Sequence, residues 1–493
     1  MADETHLNQW RTLDKDLGRI GRLEYAAQLS ARPVAALGIA LVFIAVAGLA
    51  AALLLEGAGS TVVIAAAAGF GAYMALNIGA NDVANNMGPA VGARALTMGG
   101  ALVIAAVCES AGALLAGGDV VGTIAKGIVD PTRVADSRIF VWAMMSALIS
   151  SALWVNLATW VGAPVSTTHS VVGGVLGAGA AAAGLSAVNW PTMGAIAASW
   201  VISPILGGVI AAAFLAFIKA NIIYVEDKIA AARRWVPVLI GVMTAAFAAY
   251  LALKGLKKVV EVDLGYALLI GVVAGLLAWG VSRPAIALQS RGMENRNRSL
   301  KTLFGTPLVI SAALLSFAHG ANDVANAVGP LAAIVQTVDV GAVATEVSIP
   351  LWVMVIGAFG LSLGLFLFGP KLIALVGGQI TKLNPMRAYC VALSAAITVI
   401  LASWLGLPVS STHIAVGGVF GVGFYREWHA ERRARLLGTG SPSRSRMDAE
   451  ERKRRRLVRR SHFLTVVAAW VITVPSAAGM SATVYWILRH VTL

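Results

Sequence analysis

Long apolar runs alternate with short polar connections along this chain, and most of thirteen such runs are near the ~20 residues that a helix needs to cross a bilayer. They lie at roughly 35–55, 61–79, 98–116, 139–160, 164–182, 190–218, 235–253, 264–282, 303–319, 350–376, 387–405, 408–424 and 462–488. The pattern predicts an all-α polytopic membrane protein with about 12–13 transmembrane segments. Composition agrees: 58% hydrophobic and 13% charged over 493 residues is more apolar surface than a water-soluble core could hide. An N-region of 33 residues precedes the first run, which is too long for the core of a cleavable signal. The two cysteines, Cys108 and Cys390, both fall within predicted spans, so neither a disulfide framework nor a thiolate metal site is expected.

The net charge of +14 reads as topology, because the basic residues bracket the spans. Arg11, Lys15, Arg19, Arg22 and Arg32 precede the first; Lys219, Lys228, Arg233 and Arg234 separate the sixth and seventh; Arg283, Arg291, Arg296, Arg298 and Lys301 separate the eighth and ninth. The stretch 425–461 carries thirteen Lys/Arg against five Asp/Glu. Positive charge accumulates on the cytoplasmic side, and all four clusters fall there if every run is a crossing and the N-terminus is cytoplasmic. The expected location is a bacterial inner membrane. The expected contacts are with the bilayer, including anionic lipid, and not with nucleic acid.

Within the apolar runs, Gly79-Ala-Asn-Asp-Val-Ala-Asn85 recurs as Gly320-Ala-Asn-Asp-Val-Ala-Asn326, and Pro164-Val-Ser-Thr-Thr-His169 as Pro408-Val-Ser-Ser-Thr-His413. Trp200-Val-Ile-Ser returns as Trp470-Val-Ile-Thr. The offsets are 241, 244 and 270, so the copies are collinear and the jump marks 425–461 as an insertion. The cassette-bearing runs are seven crossings apart, an odd number, so the copies have opposite orientation. The expected organisation is a cytoplasmic region 1–33, an added helix at 34–56, a first repeat at 61–218, connecting helices at 219–301 and a second repeat at 302–493. Inverted repeats of this kind typify secondary transporters, whose substrate site lies near the midplane where the copies meet, built from broken helices and re-entrant-like hairpins.

Polar groups at membrane depth are costly, so two copies of one polar cassette imply something hydrophilic to hold. Glycine, Asn and Asp loosen a helix, which predicts an interruption at each cassette. Asn81, Asn85, Asn322 and Asn326 offer amide donors suited to an oxyanion. Asp82 and Asp323 cannot stay ionised beside an anion without a cation, so each is expected to bind a coupling ion, Na+ included, or to carry a proton. In the second motif, hydroxyls at Ser166, Thr167, Thr168 and at Ser410, Ser411, Thr412 follow a proline that favours a helix start, where free N–H groups and the dipole attract an anion without lysine. His169 and His413 are either proton relays or structural hydrogen-bonders.

The paired Asn-Asp cassettes and paired Pro-Val-Ser turns resemble the inorganic phosphate transporter (PiT) family of cation-coupled symporters. The likeness spans most of residues 60–490, including Phe317-Ala-His-Gly-Ala-Asn-Asp-Val-Ala-Asn-Ala-Val-Gly-Pro-Leu331. It implies uptake of inorganic phosphate, free or as a metal–phosphate complex, driven by sodium or protons, with no other cofactor and with a homo-oligomer as one open arrangement. It also implies that Asn81, Asp82, Asn322, Asp323, Ser166 to Thr168 and Ser410 to Thr412 form the site. Cys108-Glu-Ser-Ala-Gly-Ala-Leu-Leu-Ala-Gly117 is similar to the sodium-coupled branch, in which the glutamate matching Glu109 matters for transport. That branch has glutamates where this chain has Met144 and Ala392, and Trp154-Val-Asn-Leu-Ala-Thr-Trp160 is nearer the proton-coupled bacterial members, so protons are favoured over sodium.

Two rival readings fare less well. A membrane-embedded lipid-phosphate enzyme would need a cation at its developing charge, and only Arg94 is close to a cassette. A sulfate symporter would bind through the same groups, but sulfate brings no proton to give to an aspartate. Because 425–461 lies outside the repeat, deletion of 430–458 is expected to leave substrate affinity unchanged in uptake assays. Complete loss of transport by a well-expressed deletion would contradict its reading as an insertion.

Overall fold

The computed structural model describes residues 34–54, 61–130, 133–134, 136–161, 165–255, 262–341, 349–375, 383–436 and 460–492. The N-terminal region 1–33, Pro164 and the centre of the basic stretch, 437–459, lie outside the described residues. In chain order the long helices are α1 Val34–Leu54, α2 Thr61–Gly92, α3 Met98–Ala116, α4 Ser137–Val161, α5 Thr167–Ala183, α6 Trp190–Ile218, α7 Lys228–Lys254 and α8 Leu264–Gln289. They continue with α9 Gly305–Asp323, α10 Ala325–Val340, α11 Leu351–Leu375, α12 Pro385–Trp404, α13 Ser411–Leu436 and α14 Arg460–Thr492. Among the described residues the only β structure is one isolated bridge, Val129 to Val188.

Eleven spans are long and apolar enough to cross a membrane, with α9 and α10 counted as one. The other two of the thirteen expected segments are α5, of 17 residues, and α13, whose C-terminal half is charged. Burial sorts the helices into layers. About 78% of the apolar window is buried in α9–α10 and in α12, against 22%, 17% and 22% in α1, α8 and α14, so these last three face the surroundings.

The expected interruptions at the cassettes are absent or slight. α2 runs unbroken for 32 residues through Asn81, Asp82 and Asn85. In the second copy the irregularity is confined to Val324, which keeps helical angles (φ −55°, ψ −32°) while its N–H reaches Gly320 O at a long 3.4 Å. The polar side chains do not unwind the backbone because their hydrogen bonds go elsewhere: Asn85 to Thr412, Asn86 to Glu109, Asn326 to Thr168. Competition with the helix is removed by partners on other helices.

Close helix crossings bring those partners in, and they come in pairs at the repeat offsets. A Cβ at Gly79 on α2 would collide with the backbone of Leu361 on α11, and one at Gly320 on α9 with the backbone of Glu109 on α3. At Gly173 and Gly177 on α5 it would strike Val474 and Ala478 of α14; at Gly417 and Gly421 on α13 it would strike Pro204 and Gly208 of α6. Small residues allow such approach where apolar attraction between helices is weak. Each hydroxyl-led helix is thereby packed on a helix from the other half of the chain. Gly421→Val is expected to lower the melting temperature of the purified protein, at a cost of about 1–3 kcal/mol or more. Gly99→Ala, where nothing lies within 4 Å, is expected to leave it unchanged or slightly higher.

Candidate functional site

The starts of α5 and α13 come together against the two cassettes. Ser166 and Ser410 cap these helices, each Oγ accepting the backbone N–H three residues on, from His169 at 3.2 Å and from His413 at 3.3 Å. The next residues reach the carboxylates: Thr167 Oγ1 donates to Asp82 Oδ2 at 3.0 Å and Ser411 Oγ to Asp323 Oδ2 at 3.2 Å. The third hydroxyls take the cassette amides crosswise. Asn85 Nδ2 donates to Thr412 Oγ1 at 2.8 Å, and Asn326 Nδ2 donates to Thr168 Oγ1 at 3.1 Å. The first asparagines tie each cassette to the turn before its partner helix, Asn81 to Val165 O and Asn322 to Leu407 O, with Val409 N–H returning to Asn322 Oδ1.

The symmetry stops at the carboxylates. Asp82 accepts from Asn81, Thr167 and Thr412, whereas Asp323 accepts from Ser411 alone among these and leaves Oδ1 with no donor among the described residues. Thr168 turns instead to Val409 O. Between the two acids sits His319, with Nε2 3.0 Å from Asp323 Oδ2 and 3.6 Å from Asp82 Oδ2. Its Nδ1 lies 3.2 Å from Glu109 Oε1, and Asn86 donates to that same oxygen at 2.9 Å. Asp82 and Asp323 are 1% exposed, Glu109 and His319 0%, so this cluster is shut off from solvent; only Asn81 and Asn85 of the network are half-buried.

Three acids around one base cannot be neutral without further protons or a cation, and burial makes a surplus charge cost several kcal/mol per ion. The donor set agrees. Asp323 Oδ1, Glu109 Oε2 and Asn326 Oδ1 are buried acceptors that no donor reaches among the described residues. One ligand atom from each of Asp82, His319 and Asp323 lies within 4.8 Å of the others, close enough to share a cation. Anion-binding capacity sits alongside, in the N–H groups and hydroxyls of two helix starts.

A family model described as the phosphate transporter family matches residues 78–481. That span takes in both cassettes, both hydroxyl-led helix starts, Glu109 and His319. The chain belongs to the phosphate transporter family. A Helicobacter pylori protein named "Putative phosphate permease" is 50% identical over 415 residues, covering 84% of this chain and 78% of the relative. One so named from Pyrococcus abyssi is 35% identical over 418 residues, covering 85% and 96%. A solved structure named "The sodium-dependent phosphate transporter" is 36% identical, with a TM-score of 0.78 over 88% of this chain and 100% of that one.

In this family member the structure gathers ten of the sequence-predicted residues into one cluster of hydrogen bonds and close charged contacts, places Ser166 and Ser410 as caps at its edge, and brings Glu109 to it through His319. His169 and His413 pack edge-to-face at 4.5 Å, with His169 also 3.9 Å from Trp200. Arg94, the one cation available to an enzyme reading, lies beyond the end of α2 in a surface cavity beside Arg298 and Lys301. His319 was missed. It precedes Asp323 by four residues and so shares its helix face, a usable signal; but the first copy has Ile78 at the matching position, so the repeat carries no mark of it. Removing the base leaves the acids unpaired, so His319→Gln is expected to lose about 3–5 kcal/mol of stability at pH 8. Melting curves read it, and a deficit below about 1 kcal/mol would count against the ion-paired cluster.

Proposed function

We propose that this chain moves inorganic phosphate into the cell across the cytoplasmic membrane by symport with protons. The observation that carries the reading is the crosswise network itself: two anion-attracting helix starts and two Asn-Asp cassettes surround one histidine and three buried acids. Phosphate docks at the helix starts, where Asn81, Asn85, Asn322 and Asn326 exchange their present hydroxyl and carbonyl partners for its oxygens. The negative charge it brings beside Asp82 and Asp323 is tolerable only if positive charge enters with it. Protons on the acids or on His319 supply that charge, and protonated phosphate brings one of its own.

Several features support protons. An imidazole is a poor ligand for a hard cation such as sodium, which prefers oxygen. Met144 and Ala392 are buried and apolar where the sodium-coupled branch has glutamates. A sodium reading draws on the sodium dependence that the solved relative's name states and on the spacing of Asp82, His319 and Asp323.

Uptake of labelled phosphate into proteoliposomes, with sodium and proton gradients imposed separately, tests substrate and coupling ion together. A proton gradient alone is expected to drive accumulation; sulfate is expected to compete weakly, arsenate well, and chelation of divalent metals to have no effect. Accumulation under a sodium gradient only would reverse the assignment. Asp82→Asn and Asp323→Asn, each reaching the membrane normally, are expected to reduce concentrative uptake at least about a hundredfold, as losing a buried charge partner of ~3 kcal/mol implies. Near-normal uptake in both would remove the site.

A further inference from the structure

Away from the central network, basic residues that are distant in sequence converge. Lys219 follows α6, Lys301 lies in the last turn of the short helix Asn297–Leu303, Arg387 lies in the first turn of α12 and Arg426 on the extension of α13. All four line one cavity of 480 Å³, and no acidic side chain lines it among the described residues. Lys219, Arg387 and Arg426 are half-buried; Lys301 is exposed. Arg426 is near enough to repel both Lys219 and Arg387, and none of the four forms an ion pair among the described residues. Glu427 is a neighbouring carboxylate that acts on Arg426. Lys219 Nζ also sits 4.9 Å above the ring of Tyr425.

Such an arrangement is unfavourable when empty of anions. Like charges held together and partly desolvated cost free energy, and a protein keeps them where a counter-charge returns it. The cavity adds directional donors. Two guanidinium groups match the paired oxygens of a phosphate, and α12, 20 residues long, begins here with Asn384 capping Arg387 N–H, so the positive end of its dipole faces the same space. Nor is the pocket a by-product of duplication. At the offset of 244 that aligns the Pro-Val-Ser turns, the positions matching Arg387 and Arg426 are Ala143 and Ala182.

We propose that this cavity binds a phosphate-bearing anion, on the face of the membrane where the basic connections lie, as a site separate from the central network. Two sources present that chemistry there: free phosphate on the cytoplasmic side and the headgroup of an anionic phospholipid. The inference does not rest on the reading of the central site.

The test uses the full-length protein and the triple variant Lys219→Gln, Arg387→Gln, Arg426→Gln. In maltoside micelles without phosphate or phospholipid, the variant is expected to melt no lower than the wild type, because repulsion has been removed; this also establishes that it folds. Equilibrium dialysis with labelled inorganic phosphate is the first arm, in which the wild type should bind one more equivalent per chain than the variant. Native mass spectrometry after reconstitution with phosphatidylglycerol is the second, in which the wild type should retain a lipid that the variant loses. In whichever arm responds, affinity should fall at least about tenfold, since several charge-assisted hydrogen bonds are lost, and the Lys219→Arg variant should bind as the wild type does. A gain in phosphate alone identifies the free ion, and retention of phosphatidylglycerol alone identifies the headgroup. Equal binding by wild type and triple variant in both arms overturns the proposal.

Discussion

The contact on which this structure turns is that of His319 with three carboxylates that solvent does not reach. Asp82, Glu109 and Asp323 come from three different helices, and each would be costly to ionise alone at that depth. One imidazole touches all three, through Nε2 on one side and Nδ1 on the other. The ring therefore fixes the mutual position of α2, α3 and α9 as well as their charge. Any phosphate brought to the neighbouring helix starts enters a field that this cluster sets, so the energetic problem of anion transport and that of packing these helices have one answer.

Backbone proximity is the condition for that contact. Glu109 can face His319 because Gly320, the next residue after it on α9, has no side chain and lies against the backbone of Glu109 itself. The same device holds α2 to α11 at Gly79 and each hydroxyl-led helix to a helix of the other half at Gly177 and Gly421. Tight, inflexible crossings suit a site whose hydrogen bonds need placing within a few tenths of an ångström. They also leave little freedom within each packed pair, so access to the closed site is better supplied by movement between such pairs than within them.

Much of this was legible in the chain. Thirteen apolar runs became eleven spans and two shorter or more polar helices, and the residues to which the paired motifs point, Asn81, Asp82, Asn85, Asn322, Asp323 and Asn326 and the hydroxyls, are brought together in the fold. The helix breaks are absent at the first cassette and reduced to Val324 at the second, because an Asn inside a helix unwinds it only when its own backbone is the best available partner, and here Thr412, Thr168 and Glu109 are better ones. Which helix supplies a partner is a tertiary fact. Proximity of Glu109 to His319, 210 positions apart, left no local trace, and neither did the convergence of Lys219, Arg387 and Arg426 on one cavity.

The repeat made the amides and hydroxyls of the cluster visible and concealed its other half for the same reason. Amides, hydroxyls and helix starts occur twice, as suits a tetrahedral ligand held between two similar surfaces. His319 faces Ile78 at the offset of the cassettes, and Glu109 faces Leu361 at the offset of 252 that pairs Gly112 with Gly364. Ser110 and Ser362, related by that same 252, are hydrogen-bonded to each other at 2.6 Å, which places the join between α3 and α11 beside these residues. Base and third acid thus occur once each, on the same side. A symmetric pair of helices could hold phosphate equally well from either direction; one histidine from the second copy and one glutamate from the first, meeting on one side, distinguish the two sides of the cluster chemically. In the symport proposed above, the charge that accompanies the ion would be governed by the residues the duplication does not share.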